Sequence, residues 1–184
     1  MEMLPEIAVR RAFRSLSGEP LPEESVVRML EAATFAPSCF NNQPWRFIAV
    51  SDPVVLEKVR AQLPDGNAWA RSAPMVILAV TKPSLDCRLD EGRDYAFFDL
   101  GMSTMNLMLQ AVREGIVVHP IAGFNPKKVK AACAVPDDFV LVTLLICGKQ
   151  GENPSLSDWQ LEREKGPRQR KPLSEVVSFN SFPV

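Results

Sequence analysis

The sequence predicts one domain of mixed α and β structure, and three observations lead there. Segments with apolar residues at helical spacing alternate with short apolar runs rich in β-branched side chains. Pro37, Pro64, Gly115 and Gly148 fall at the ends of these segments. The chain has 184 residues, 46% hydrophobic and 23% charged, which is long enough for one core and short for two.

In chain order, Leu4 to Phe13 reads as a short helix, followed by the turn Ser17-Gly18-Glu19-Pro20. Glu23 to Phe35 reads as an amphipathic helix, with Val26, Met29, Leu30 and Ala33 at helical spacing and Pro37 forbidding continuation. Ala36 to Phe47 then stops a helix, forms a polar loop and launches a strand. Its small and amide side chains offer hydrogen bonds with little bulk, leaving room for a planar ligand; the same composition also suits a plain turn. Trp45 to Val50 is predicted as a strand.

Asp52-Pro53 supplies an N-cap and a first-turn proline for a helix through about Leu63, which Pro64-Asp65-Gly66-Asn67 breaks. Pro74 to Val80 is expected to be a central strand buried on both faces, and Pro83 to Gly92 a polar connection. From about Arg93 to Glu114 comes the longest helix, apolar nearly all round through Phe97, Phe98, Leu100, Met102, Met105 and Leu107 to Leu109. That predicts burial at the centre of the molecule or in a subunit interface, with Gly115 as a left-handed C-cap. Ile116 to Ile121 reads as a strand, Ala122-Gly123-Phe124 as a turn, Asn125-Pro126 as the cap of a helix to about Val135, and Phe139 to Cys147 as the last core strand.

Residues 149–184 carry four prolines, several charges and few apolar side chains, too few for a core of their own. The chain therefore divides into a domain of residues 1–148 and a C-terminal extension of residues 149–184. Val176, Val177, Phe179 and Phe182 need a cover, which a neighbouring subunit provides unless the tail is simply frayed.

A formal net charge of -1 gives no drive toward nucleic acid or an acidic membrane. The four cysteines, at 39, 87, 133 and 147, form no CxxC pair, and one histidine cannot supply a zinc cluster, so a reduced cytoplasmic protein without a structural metal is expected. The apolar stretch Leu100 to Val112 is too short to span a bilayer, and the charged start of the chain suggests neither export nor anchoring.

For chemistry, two basic clusters at opposite ends of the chain stand out: Arg10-Arg11-Ala12-Phe13-Arg14 and Lys165 to Lys171, which includes Arg168 and Arg170. Guanidinium forks suit phosphate oxygens, so an anion site results if the fold joins the clusters; otherwise each is a solvated basic surface. The GxGxxG, Walker, GxSxG and HExxH patterns are absent. His119, before Pro120 at the end of a strand, suits an acid/base role or a packed imidazole, with packing expected, and Cys39 has no neighbouring Lys or His to activate it as a nucleophile.

Four of these stretches together resemble the nitroreductase family of FMN-dependent oxidoreductases: Arg10 to Arg14, Ala36-Pro37-Ser38 to Gln43-Pro44-Trp45, Pro120 to Phe124, and Arg168 to Leu173. The resemblance implies an α+β, three-layer fold around a small mixed, mainly antiparallel sheet. It also implies an intertwined homodimer, with the long apolar helix at its interface and FMN sites built from both subunits. By the same resemblance, Arg10, Arg11, Arg168 and Arg170 surround the FMN phosphate and ribityl chain. Pro37, Ser38 and Cys39 form the loop laid against the partner's flavin, shaped by Asn41 and Gln43. Pro120, Ile121, Ala122 and Gly123 run beside the ring, with an N–H of Ala122 or Gly123 toward N5, while Asn67 and Asp99 fall near other flavin contacts.

Reduction of FMN places electron density on the pyrimidine end of the ring, where a cation such as Arg14 favours it. The family implies hydride from NAD(P)H and a nitroaromatic, quinone or similar flat acceptor, in ping-pong fashion. The alternatives are a related reaction, such as dehalogenation, dehydrogenation or flavin fragmentation, or a flavin-binding module without catalysis. Two departures stand out: Ala12 replaces a family serine, removing a hydroxyl that could bond phosphate, and Cys39 replaces a small polar residue.

Overall fold

The computed structural model describes residues 3–152 and 154–182. Helix α1, Pro5–Val9, is shorter than the predicted Leu4 to Phe13. Arg10 turns to φ -55 and ψ 124. The carbonyls of Ile7, Ala8 and Arg10 accept hydrogen bonds from the Arg168 guanidinium, so the tail caps this helix where a further turn was expected. Helix α2, Glu23–Thr34, ends just ahead of Pro37 and buries Val26, Met29 and Ala33. Strand β1, Arg46–Val50, is followed by α3, Pro53–Arg60, whose predicted cap is present: Asp52 Oδ1 accepts from Val54 N and Val55 N at 3.1 and 3.0 Å.

The Pro64 to Asn67 break opens a 3-10 segment, Asp65–Ser72, that buries Trp69. Strand β2, Met75–Thr81, is buried along its whole length, as its unbroken apolar run requires. The polar connection after it folds into a small hairpin of β3, Arg88–Leu89, and β4, Arg93–Asp94. Helix α4, Tyr95–Arg113, follows, and Gly115 takes φ 68 beyond its end, a left-handed conformation that costs glycine little. Strand β5, Val117–Ile121, leads to α5, Pro126–Ala132, capped by Asn125 Oδ1 at 3.1 Å from Lys128 N. Strand β6, Val140–Gly148, completes the sheet, and the tail adds α6, Asp158–Lys165, and α7, Leu173–Val176.

The main sheet has the order β1-β2-β6-β5, with Leu78 opposite both Ile48 and Leu144, and His119 opposite Ile146. Each of these pairings is antiparallel, so within the described residues the expected mixed, mainly antiparallel sheet narrows to an antiparallel one. Alternation along β2 sends Met75 and Ile77 toward α2 and α4, and Val76, Leu78 and Val80 toward α3 and α5. The result is the expected three-layer α+β arrangement. Leu156, from the tail, joins the second of these cores.

One expectation needs correction and another is narrowed. Of the two places expected for the apolar faces of α4, the centre of the molecule takes only one face: Leu100, Leu107 and Met108 lie inside, while Phe98 is 59% exposed and Met105 44%. The helix rests on the sheet and on α2, with α1 and the Pro83–Leu85 turn also against it, and these leave Phe98 and Met105 uncovered among the described residues. The four cysteines are not all reduced: Cys39 and Cys87 form a disulfide with a Cα–Cα distance of 6.2 Å, leaving Cys133 and Cys147 free. A separation of 48 residues hid that pair; the fold closes it by laying the residue 36–43 loop against the connection before β3. Among the described residues no helix is long and apolar enough to cross a membrane.

Candidate functional site

The two arginine clusters meet. Arg10, Arg11 and Ala12, leaving α1, face Trp159, Arg163, Arg168 and Arg170 of the tail across a cleft of about 550 Å³. Two of the arginines do structural work there. Arg11 donates to Gly166 O at 2.9 Å and Arg163 O at 3.2 Å, satisfying the end of α6, while Arg168 does the same for α1. Burial first, then the charges of Arg168 and Arg170, pushes the Arg10 guanidinium below its ordinary value. A cluster in which like charges disfavour one another binds an anion with a gain on every member.

The next residues of the chain are clamped from two sides. On one, Glu164 of α6 accepts from the backbone N–H of Arg14, from Ser15 N at 3.1 Å and from the Ser15 hydroxyl. On the other, His119 Nδ1 lies 3.1 Å from Phe13 O and its ring 4.6 Å from that of Trp69. His119 is buried, and burial holds its pKa below the ordinary value, so it is the packed neutral imidazole expected. Between the clamps the Arg14 guanidinium stands 5.9 Å from the Trp69 ring and 5.7 Å from that of Trp159.

Trp69 leads to a second group. Asn67, in the same 3-10 segment, donates to Gly123 O at 2.8 Å, tying it to the turn after β5. A Cβ on Gly123 would come within 2.9 Å of Asn67 Nδ2, so glycine permits this close approach. Within the turn, Pro120, Ala122 and Gly123 are exposed while Ile121 is buried, its carbonyl accepting from Thr143 Oγ1 at 3.0 Å.

The Pro37 to Gln43 loop forms a third group. Ser38 Oγ accepts from Gln43 N at 3.0 Å, and Gln43 Nε2 reaches Asn41 Oδ1 at 3.3 Å. Cys39 N donates to Asp99 Oδ2 at 2.8 Å, and Asn42 Nδ2 to Asp86 Oδ1 at 3.1 Å. Burial raises the Asp99 carboxyl, the Cys39 N–H opposes that, and nearby Asp86 adds to it. Asn41, Gln43 and Asp99 thus shape and hold the loop, whose contacts run to Asp99 of α4 and to Asp86 and Cys87 just before β3. Arg14 and Trp69 link the first two groups, whereas the loop is anchored elsewhere in the chain.

This arrangement matches a known family along most of its length. The model of the Nitroreductase family aligns with residues 7–70 and 64–149. The chain belongs to the nitroreductase family. A Thermus thermophilus relative named NADH dehydrogenase is 28% identical over 200 residues, covering 91% of each chain. A Rhodospirillum rubrum relative, 5,6-dimethylbenzimidazole synthase, is 30% identical over 186 residues, covering 84% of this chain and 87% of its own. A solved structure of an oxidoreductase containing FMN superimposes with a TM-score of 0.87 at 28% identity, over 99% of this chain and 93% of that one.

Sequence reading of this nitroreductase-family chain overlooked Trp69, Trp159 and Glu164. Trp69 sits in an ordinary turn signal. Glu164 did carry a trace: it is an acidic residue beside Lys165 in the basic stretch of the tail.

Proposed function

We propose that the chain is an FMN-dependent oxidoreductase, working as a homodimer, that takes hydride from NAD(P)H and reduces a nitroaromatic, quinone or similar flat acceptor by a ping-pong cycle. One observation carries the reading: Arg10 and the pair Arg168 and Arg170, more than 150 residues further along the sequence, converge on one cleft where their charges disfavour one another. The residues fit a phosphate monoester, and Arg14, 5.9 Å from the Trp69 ring, links their cleft to the segment whose Asn67 bonds Gly123, the side we assign to the ring.

Bound FMN would supply the hydride acceptance and delivery that the chain's own side chains lack. Arg10 and Arg170 would hold the phosphate, with Arg11 and Arg168 fixing the walls of its cleft. The exposed N–H of Ala122 or Gly123 is the donor we assign to the ring's N5, and Arg14 the cation beside its pyrimidine end. The Pro37-Ser38-Cys39 edge we assign to the partner's site, where it would exclude water. The outer face of α4, with Phe98 and Met105 exposed, supports a subunit interface, and the exposed Val176, Val177 and Phe179 support a tail that extends over the partner.

The test is a spectrum. Purified protein should be yellow or become so with added FMN, and anaerobic NAD(P)H should bleach it; colourless protein that takes up no FMN sinks the reading. The Rhodospirillum rubrum relative's name favours a second reading, a different reaction on the same fold. It gains if NAD(P)H leaves bound FMN oxidised while dithionite bleaches it.

A further inference from the structure

The Cys39–Cys87 disulfide joins the Pro37 to Gln43 loop to the segment just before β3, across 48 residues of sequence. Both cysteines are only half-buried, within reach of an external thiol. Cys147, by contrast, is fully buried, and burial pushes its thiol up to about 12, which removes it from exchange. The loop around the bond has an unfavourable backbone: Phe40, Asn41 and Gln43 have φ of 48, 58 and 49, left-handed values that side chains other than glycine disfavour. Such a conformation persists only where its surroundings impose it. Here bonds within the loop, Gln43 N to Ser38 Oγ and Gln43 Nε2 to Asn41 Oδ1, set its local shape, while the disulfide, the Cys39 N–H on Asp99 and the Asn42 amide on Asp86 tie it to the rest of the chain. A disulfide that solvent reaches is the kind that exchanges, and in a reducing compartment such bonds are transient.

We infer that Cys39–Cys87 is a reversible thiol–disulfide site that sets the order of the Pro37 to Gln43 loop, with a dithiol as its reducing partner. A thiolate of the dithiol attacks one sulfur, the S–S bond breaks and the departing cysteine takes a proton. The second thiol then resolves the mixed disulfide. The protein gains two electrons and two protons as the dithiol becomes a disulfide. Freed of its covalent tie, the loop leaves its left-handed residues to relax, and Phe40, 91% exposed, moves with it. Because this is the loop proposed to reach the partner's flavin, its redox state adjusts that contact; this consequence rests on the FMN reading, while the redox site does not.

Full-length protein purified in air without thiols, then denatured and alkylated, should show label on Cys133 and Cys147 alone. Prior dithiothreitol should add Cys39 and Cys87. In native protein the same reduction should speed amide hydrogen exchange at residues 38–43 by roughly tenfold or more while β2 stays protected, and reoxidation should reverse it. Cys87→Ser should exchange like the reduced form; should it fail to fold, reduction of the natural chain still decides. Alkylated Cys39 and Cys87 in the air-purified protein, unchanged exchange at 38–43 after reduction, or lost protection across the whole sheet would each overturn the inference. None of these readouts needs flavin, so a protein that fails to bind FMN removes the proposed function and leaves the redox site standing.

Discussion

Glu164 accepts a hydrogen bond from Ser15 N at 3.1 Å, so the last turn of α6 grips the segment that follows the first arginine cluster. The same carboxylate takes the N–H of Arg14 and the hydroxyl of Ser15, which makes one side chain the joint between tail and domain. Glu164→Gln removes the charge and replaces one acceptor oxygen with a donor facing other donors. A charged hydrogen bond contributes about 1.5 to 3 kcal/mol, so a loss of that order and a Tm fall of roughly 3 to 12 °C are expected. Calorimetry checks the fall, and FMN titration should show weaker binding, because Arg14 and the cleft shift together. An unchanged Tm would mean that the tail is held by other contacts.

Arg168 and Arg170 separate two contributions to the cleft. Arg168 donates to carbonyls of α1 as well as standing by Arg10, whereas Arg170 donates to Gln169 O beside it at 2.6 Å. Arg170→Ala should therefore weaken FMN binding several-fold with little change in Tm. Arg168→Ala should weaken binding and lower Tm, since it uncaps α1. Binding by flavin fluorescence quenching, measured beside thermal melts, distinguishes the two. Unaltered FMN affinity in both would show that the tail lies outside the site.

How much of this was readable beforehand follows from the range of the interactions. The elements set by local rules came through: the Asp52 and Asn125 caps, the Gly115 stop and the buried strand β2 all depend on neighbours within a few residues. The arginine clusters are visible as composition, but charge runs carry no information about their distance in space, so their meeting is not. Helix α1 is shorter than its local sequence predicts because its end is decided by Arg168, some 160 residues away. The Cys39–Cys87 pair and the grip of Glu164 were hidden for the same reason, and Trp69 because a turn signal says nothing about what the turn buries.

The approach of Asn67 to Gly123 gives a sharper local test. In Gly123→Ala the new methyl meets Asn67 Nδ2 at 2.9 Å, so either the turn or the amide must shift and the 2.8 Å bond to Gly123 O is lost. A stability loss of about 0.5 to 1.5 kcal/mol is expected, together with weaker FMN binding. The double variant Asn67→Ala/Gly123→Ala removes the clash without restoring the bond. It should recover part of the stability measured by urea unfolding but not the affinity. Equal stability in single and double variants would show that the turn absorbs the methyl elsewhere.

Acid should expose two separable groups. Glu114 is bound in bidentate fashion by Arg28, at 2.9 and 2.8 Å, and by Gln110 at 2.7 Å, which joins α2 to the end of α4. Arg28, then Gln110, holds its carboxyl down to about 2 from an ordinary 4.5. Because the folded value is depressed, the stabilisation is present in full above pH 4.5 and disappears as pH falls toward 2. His119 works in the opposite state of protonation: buried neutral, with its pKa held below an ordinary 6.5, it opposes the folded state once the unfolded chain takes up a proton below that pH. Tm measured against pH should thus show Glu114→Gln less stable than the natural chain at pH 7, with the gap closing between pH 4.5 and 2. His119→Gln should flatten the profile from just below pH 6.5, well before the carboxylate responds. If the two variants flattened the same pH range, the assignment of these groups would fail, because their ordinary values, 4.5 and 6.5, place the onset of their effects two pH units apart.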